Sequence, residues 1–511
     1  MKKSTVLRGA MSLALLAPFG TPSNATTVTL DPRTLVPAAK IDPRYQSYNV
    51  ELVSIIGGQW WAPYRAPGAA EPGAAPASPQ IGADTLSEHA PLDLANARLR
   101  HLAAALGPAY MRVSDKWANS TFFQDHGAAL TKPPSGFDSV LTAARWKTVI
   151  QFAKAADASL VTSFAISPGT RSANGVWTPT ETGKVLRSTR EAGGSIAAAE
   201  FFNEPNLAVI EGAPKDYTAA DYGRDFKIFS AYLRRNSPQT KLFGPGAVGE
   251  RKGFAKLPGA LSSGDMLQAS GGGLDGLSYH FYGAFSQRCA NMGAQFQIQP
   301  AAALSPEWLN ASLDDTAYYG AMRNLFIPGR PLWLTETAQA ACGGDRWAAQ
   351  FLDTFRYLNQ LGLLAGHGVG VSMHNTLVGS DYGLIDQATM QPRPNYWGAL
   401  LWRKLVGTTV FRVNDSKVPN LYLYAFDLRG APGGTAILAI NADPGHAVDL
   451  DLKRHFRRYT LSAPGLDSAT VLLNGHPLAL DAAGRLPVIN GAPGAGVTTL
   501  APGTITFLAI R

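Results

Sequence analysis

The chain has 511 residues, 46% hydrophobic and 16% charged, which excludes a disordered or fibrous polymer and exceeds what one small core can use. A formal net charge of +8 comes with no Lys/Arg-rich block and no nucleic-acid motif. It leaves room for a polyanionic partner, with ordinary surface charge as the plainer reading.

In chain order, residues 1–25 read as an export signal. Lys2, Lys3 and Arg8 form a basic start, an apolar run covers 10–19, and Ser23-Asn24-Ala25 offers small residues for cleavage after Ala25. The run is shorter than the roughly 20 residues a membrane span needs. Removal takes away three basic residues and no acidic ones, leaving +5 on an exported, secreted or periplasmic chain with no membrane attachment. Residues 26–42 supply a short β-branched strand and a Pro-punctuated stretch.

From residue 43 onward, apolar strand-like runs alternate with helical patterns. The strand candidates are 45–53, 110–114, 159–167, 196–202, 241–245, 274–282, 331–337 and 368–375, with helices at 143–156, 217–236 and 345–364. Eight such strands are the order of a (β/α)8 TIM barrel, although a doubly wound open sheet gives a similar string. The Ala-, Pro- and Gly-rich segment 66–79 reads as a loop inserted after the first strand. Beyond 408 the pattern changes to short alternating runs at 421–427, 435–441, 447–452, 458–461, 470–473 and 504–510. That is the signature of an additional antiparallel β-sandwich. The expected organisation is signal 1–25, a sandwich strand within 26–42, a catalytic barrel 43–408 and a β-sandwich 409–511.

Two glutamates carry the chemistry. Glu204 in Phe202-Asn203-Glu204-Pro205-Asn206 follows the fourth strand candidate, and Glu336 in Trp333-Leu334-Thr335-Glu336-Thr337 closes the seventh. The C-terminal ends of barrel strands are where barrel active sites lie. Glycosidic hydrolysis needs one protonated and one ionised carboxyl, about 5–5.5 Å apart in a retaining enzyme. Either glutamate alone could be an ordinary solvated or salt-bridged strand-end carboxylate. Together, at opposed strand ends, they read as acid/base (Glu204) and nucleophile (Glu336).

These motifs resemble the acid/base and nucleophile motifs of the large barrel clan of retaining glycosidases, and more specifically the heparanase-like β-glucuronidase family. The likeness extends to Leu277-Ser278-Tyr279-His280-Phe281-Tyr282, to the stretch from Glu336 to Cys342-Gly343-Gly344, to 379–386, and to 395–408. It covers most of 45–408 and, more loosely, the sandwich. It implies that Asn203 bonds the sugar 2-hydroxyl, that Tyr282 orients Glu336, and that His280 lines the site. It also implies that Tyr382 and a backbone N–H of Gly343-Gly344 hold the uronate carboxylate. Glu51 and His374 occupy sugar-contact positions, although human-type members carry Gln where His374 stands. For Tyr282, His280 and Tyr382 the plain alternative is a polar core or loop residue.

The chain departs from the family after the second strand. It has Arg112-Val113-Ser114-Asp115-Lys116-Trp117 where a Gly-Gly-Thr type of sequence is usual. Lys116 then contacts a carboxylate or sulfate of the substrate, or pairs only with Asp115. Cys289 and Cys342 are the two cysteines. Two free thiols are the alternative, but both fall in catalytic-face loops of an exported chain, so a disulfide is expected.

The resemblance implies a monomeric retaining β-glucuronidase without metal or cofactor, acting on a glucuronide or acidic polysaccharide. The positive charge tilts the expectation towards endo cleavage of heparan sulfate. Exo action on short glucuronides, a β-xylosidase or β-glucosidase on the same barrel, and a silent polysaccharide-binding protein are the alternatives.

Overall fold

The computed structural model describes residues 26–64, 85–128, 130, 132–252, 257–414 and 416–511. The signal segment and the inserted loop 66–79 lie outside the described residues. No helix among the described residues is long and apolar enough to cross a membrane.

Eight parallel strands close into a barrel: Gln46–Glu51, Ala109–Ser114, Ala158–Thr162, Ile196–Ala199, Lys241–Val248, Gly276–Tyr282, Leu332–Ala338 and Val369–His374. Closure through the pairing of the eighth strand with the first settles barrel against open sheet. The strands are apolar on the faces that meet the helices, with residues such as Val50, Met111, Leu160, Leu242, Leu277 and Leu334 in the main core. Their interior residues pack in layers, as in barrels generally. The lowest layer is an apolar cluster of Val161, Ala198, Phe243, Trp333, Val371 and Met373. Phe243 and Trp333 stack there with centroids 3.8 Å apart. Above this plug the interior turns polar, and the site begins.

The helix Ala219–Asn236 illustrates how the outer ring supports that site. Thr218 and Asp221 form a capping box at its start, which satisfies two otherwise orphaned N–H groups. Tyr222, Phe226, Phe229 and Leu233 recur on one buried face. Phe229 stacks on Phe201 at 5.0 Å, so the helix anchors the chain three residues before Glu204.

The second layer is antiparallel apart from Thr26–Thr29, which runs parallel to its neighbour. Its sheet runs Pro37–Lys40, Val406–Phe411, Leu421–Leu428, Thr435–Asn441, Thr504–Ile510, Val448–Ser462, Leu472–Leu473 and His476–Pro477, with Thr26–Thr29 and Ala492–Leu500 both paired to Val448–Ser462. The sequence pattern divides that long strand into 447–452 and 458–461. The chain instead continues through an irregularity between Asp451 and His455, where Lys453 takes a φ of 52°. Ala492–Leu500 pairs with the strand on both sides of this bend, while Thr26–Thr29 pairs with it only before the bend and Thr504–Ile510 only after it. The two halves then face each other across Ala425, Ile437, Leu450, Phe456 and Leu508, which makes the sheet a sandwich joined through one strand. Ala492–Leu500 escaped sequence reading because Pro493, Gly494 and Gly496 mask its alternation.

Candidate active site

The fourth strand ends at Ala199, and the chain then turns sharply. Glu204 has φ 45°, ψ 55° and precedes the 3-10 turn Pro205–Leu207. A non-glycine residue held in the left-handed region costs about 1–2 kcal/mol and persists only where its surroundings enforce it. Phe201 packed on the helix below enforces it from one side. Asn203 does so from the other, its N–H donating to Asn119 Oδ1 at 2.8 Å while Asn119 Nδ2 donates to Asn203 O at 3.0 Å. Glu336 lies within the seventh strand, inside a fully buried run.

The side chains converge. A carboxylate oxygen of Glu204, one of Glu336 and a ring nitrogen of His280 lie within 4.8 Å of one another. Their partners differ. Glu336 accepts from Arg112 Nη1 at 2.7 Å through Oε2 and from the Tyr282 hydroxyl at 2.7 Å through Oε1. Glu204 has His280 Nδ1 at 3.0 Å. Burial first, the negative charge of Glu336 second and that of Glu211 third push the Glu204 carboxyl well above the usual range. Burial, reinforced by the Arg112 charge, drives His280 far down, so its ring is neutral.

Arg112 is the hub of this arrangement. It is buried, and its fork addresses three groups: Glu200 Oε2 from Nε at 2.8 Å, Glu336 from Nη1, and Asn203 Oδ1 from Nη2 at 2.9 Å. Thr335 Oγ1 donates to the other Glu200 oxygen at 2.8 Å. Sequence reading quoted Arg112 only as part of a departure from the family pattern. The usable signal was a charged residue inside an apolar strand, which requires buried counter-charges.

A second network faces Glu204 from across the barrel. Asn375 Nδ2 donates to Glu51 Oε1 at 2.7 Å and to Tyr282 Oη at 3.0 Å, while Tyr382 Oη donates to Glu51 Oε1 at 3.0 Å. Burial, then the charge of Glu336, pushes the Glu51 carboxyl up to about 7. Asn375 was not singled out from sequence, since an Asn at a strand end is more often a turn residue. His374 stands behind this wall rather than in it. It is buried, and its Nε2 donates to the Tyr382 carbonyl at 2.7 Å.

Asp115 and Lys116 part company. Asp115 accepts from the backbone N–H groups of Val53 and Ala118, both at 3.1 Å. Lys116 is exposed, and its charge acts on Glu211. Glu211 accepts from Asn119 Nδ2 at 3.0 Å and Asn203 Nδ2 at 3.2 Å, and burial pushes its carboxyl up to about 7. Gly343 and Gly344 follow the Cys289–Cys342 disulfide. Gly343 has φ 80°, and a Cβ there would lie 2.4 Å from Ser380 Oγ and 2.8 Å from Trp61 Cγ. Only glycine fits.

Glu204, His280 and Glu336 are also the kind of side chains that hold metal ions. The guanidinium on Glu336 supplies the positive charge that such an ion would bring, so the donor set fits proton chemistry better than a metal centre.

The closed barrel with an added β layer is the fold of (β/α)8 glycosidases. A 4-O-α-L-rhamnosyl-β-D-glucuronidase from Fusarium oxysporum 12S superimposes with a TM-score of 0.66 at 13% identity, covering 94% of this chain and 100% of that one. An arabinofuranosidase from Xanthomonas axonopodis pv. citri gives 0.61 at 14% identity, covering 96% and 100%. No family model matches the chain. Among curated proteins it is similar to heparanase-like protein 1 of Arabidopsis thaliana, 30% identical over 52% of this chain and 46% of that protein. It is 33% identical to baicalin-β-D-glucuronidase of Scutellaria baicalensis over 37% of this chain and 38% of that one. It is 25% identical to hyaluronoglucuronidase of Hirudo nipponia over 82% and 90%. The chain thus spans half or less of the first two. The fold is thus shared with these glycosidases, and the sequence is similar to these heparanase-like and glucuronidase proteins.

Proposed function

We propose that the protein is a retaining β-glucuronidase in which Glu204 is the acid/base and Glu336 the nucleophile. One observation carries this reading. Two carboxyl groups lie within 4.8 Å, oxygen to oxygen, with opposite surroundings: a guanidinium and a phenol on one, a neutral imidazole on the other. That spacing suits direct attack by one carboxylate and leaves too little room for the water an inverting enzyme holds between its pair.

In the first step Glu336 attacks the anomeric carbon as the glycosidic C–O bond breaks, and Glu204 gives its proton to the departing oxygen. In the second, Glu204 takes a proton from water, whose oxygen attacks the same carbon and expels Glu336. The sum is substrate plus one water. The His280 Nε2 atom is buried without a hydrogen-bond partner among the described residues, and a bare ring nitrogen is cheaper there than an orphaned N–H. We therefore assign the ring proton to Nδ1, donating to Glu204 Oε1. The acid proton then sits on Glu204 Oε2, free for the leaving group.

The glucuronate specificity rests on Tyr382, Tyr282, Asn375, Glu51 and the N–H groups of Gly343 and Gly344, which have no protein acceptor among the described residues. Loop N–H groups present fixed dipoles to an anion. His374 serves by holding Tyr382. Asn203, with one amide hydrogen on Glu211, has the other for the sugar 2-hydroxyl. In this reading 43–408 is the catalytic unit, 409–511 with 26–42 supports it, and 1–25 directs export.

A panel of 4-nitrophenyl β-glycosides tests the assignment. Turnover of the glucuronide, with the β-anomer as first product by NMR, is expected. Turnover of only the xyloside or glucoside rejects glucuronate specificity. Glu336→Gln should abolish turnover while binding persists, and surviving activity rejects the nucleophile.

A further inference from the structure

A buried carboxyl that takes no part in the proposed reaction lies against the Glu204 turn. Glu211 follows Glu204 along the same turn. Leu207 N–H donates to Glu204 O at 2.8 Å and Glu211 N–H to Leu207 O at 3.0 Å, so the chain coils back on itself. The Glu211 side chain returns to Asn203, the residue before Glu204. Its Oε2 accepts from Asn203 Nδ2 at 3.2 Å and from Asn119 Nδ2 at 3.0 Å. Asn119, Asn203 and Glu211 are all buried.

Asn119 is where three loops meet. It stands in the 3-10 turn Lys116–Ser120, after the second strand. Its carbonyl accepts from the N–H groups of Ile166 and Ser167, after the third strand, at 2.8 and 3.0 Å. Its side chain pairs with both backbone groups of Asn203, after the fourth: Oδ1 accepts from the N–H at 2.8 Å and Nδ2 donates to the carbonyl at 3.0 Å. This pairing works in one orientation of the amide. Turned over, Asn119 would set its NH2 against the Asn203 N–H, and its oxygen against the Asn203 carbonyl and the Glu211 carboxyl. The Asn203 side chain is fixed likewise, its oxygen accepting from Arg112 Nη2 at 2.9 Å and its NH2 donating to Glu211. Glu211 Oε2 is thus the acceptor that both amides share. It acts directly before Glu204, whose φ of 45° persists only with outside support.

We propose that Glu211 is a positioning residue for the acid: by orienting the Asn119 and Asn203 amides, it holds the turn that aims Glu204 at the leaving group. This rests on the acid/base reading of Glu204 above. Alignment at the reacting atoms is sensitive, and a displacement of about 1 Å costs up to about 10²-fold in rate. The charge of Glu211 acts in the same direction. Burial opposes its ionisation, Lys116 and the Asn203 amide favour it, Glu336 opposes it and Arg112 favours it. Once ionised, Glu211 joins burial and Glu336 in discouraging a charge on Glu204. The acid then keeps its proton to higher pH.

The test compares kcat/KM of the full-length enzyme on two substrates. The phenolate of 4-nitrophenyl β-D-glucuronide departs unassisted, whereas the alkoxide of methyl β-D-glucuronide needs the proton. Glu211→Met removes the shared acceptor. It should lower kcat/KM by about 10- to 10²-fold on the methyl glucuronide and by under about threefold on the aryl one. Glu211→Gln keeps an acceptor oxygen but loses the charge that strengthens both bonds. It should show the same selectivity on a smaller scale, and its alkaline fall in kcat/KM should begin at lower pH than in the wild type. Glu204→Gln, run alongside, should be selective too, and adding Glu211→Met to it should cost little more on the methyl glucuronide. Equal losses on both substrates for the Glu211 variants, or none on either, overturn the positioning role and leave a selective Glu204→Gln as support for the acid. If Glu211→Met does not fold, Glu211→Gln decides by the same criterion, and an unmoved alkaline limb overturns the charge effect. A non-selective loss with Glu204→Gln overturns the acid reading, and this proposal with it.

Discussion

Replacing Glu204 by Gln should separate substrates by the basicity of the departing oxygen. The amide is nearly isosteric, and its oxygen still accepts from His280, so the fold and the Arg112 network are left in place. What disappears is the proton. A positioned general acid contributes about 10²- to 10⁴-fold, or about 3–5 kcal/mol at about 1.4 kcal/mol per decade. A sugar alkoxide needs all of it, whereas a 4-nitrophenolate leaves unassisted. For the first step, read as kcat/KM, the expected loss is about 10²- to 10⁴-fold on an oligosaccharide and under about tenfold on the aryl glucuronide. The second step needs Glu204 as base whatever has departed. The aryl substrate should therefore show a burst of nitrophenol followed by slow turnover. Stopped-flow release of nitrophenol, alongside initial rates on the oligosaccharide, measures both. Equal losses in kcat/KM for the two substrates would refute the acid role.

Three further outcomes follow from the same geometry. Arg112→Met leaves Glu200 and Glu336 buried without their counter-charge, and should cost about 3–5 kcal/mol in urea unfolding; a cost under about 1 kcal/mol, the scale of a surface pair, would deny Arg112 its central place. Glu51 is raised from 4.5 to about 7, so the folded chain binds the proton more tightly than the unfolded one. Its contribution is complete below about pH 4.5 and lost as pH rises through about 7, at most about 3 kcal/mol. KM for a glucuronide should climb over the same range as a second negative charge meets the uronate, and Glu51→Gln should flatten that climb; an unchanged KM profile would count against it. Replacing Cys289 and Cys342 by Ser opens a link spanning 53 residues, worth up to about 4 kcal/mol by loop entropy, and should raise KM more than it lowers kcat. An unchanged KM would detach the disulfide from the pocket wall.

The barrel was legible because its strands carry apolar runs separated by amphipathic helices, and the two glutamates because they end such runs. The second layer was read as alternating segments, but its long strand was split, since the bend at Lys453 interrupts the period. Arg112 and Asn375 were missed for a physical reason. Their importance comes from pairings across the barrel, Arg112 to Glu336 and Asn375 to Glu51, between residues 224 and 324 positions apart in sequence. Local pattern carries no information on which strand interiors face each other. Arg288, whose Nε donates to Ala62 O and whose Nη1 donates to Gly344 O, was hidden in the same way, since an Arg in a polar loop looks solvated. Lys116 and Asp115, adjacent in sequence, invited a pairing that the backbone N–H groups of Val53 and Ala118 outcompete.

In the proposed mechanism, the distribution of donors explains how one cavity would hold both an acid and a nucleophile. Glu200 and Glu336 pair with the buried Arg112 guanidinium, whose charge also reaches Glu204 and Glu211, while Glu51 and Asp115 feel the negative charge of Glu336. Were all six ionised, the cavity would hold a large negative excess out of water, where like charges repel most strongly. The proton therefore stays wherever charged donors are scarce. Glu200 and Glu336 share Arg112, and Glu336 adds a phenol. Glu204 has only a neutral imidazole, and Glu51 an amide and a phenol. The proposed nucleophile is thus the carboxylate paired with a guanidinium, and the proposed acid the carboxyl that has no charged donor. A glucuronate, the proposed substrate, would bring one more negative charge into this balance. It would be tolerable while Glu51 is neutral, so substrate binding and the pH response of the pocket would be two readings of the same charge limit.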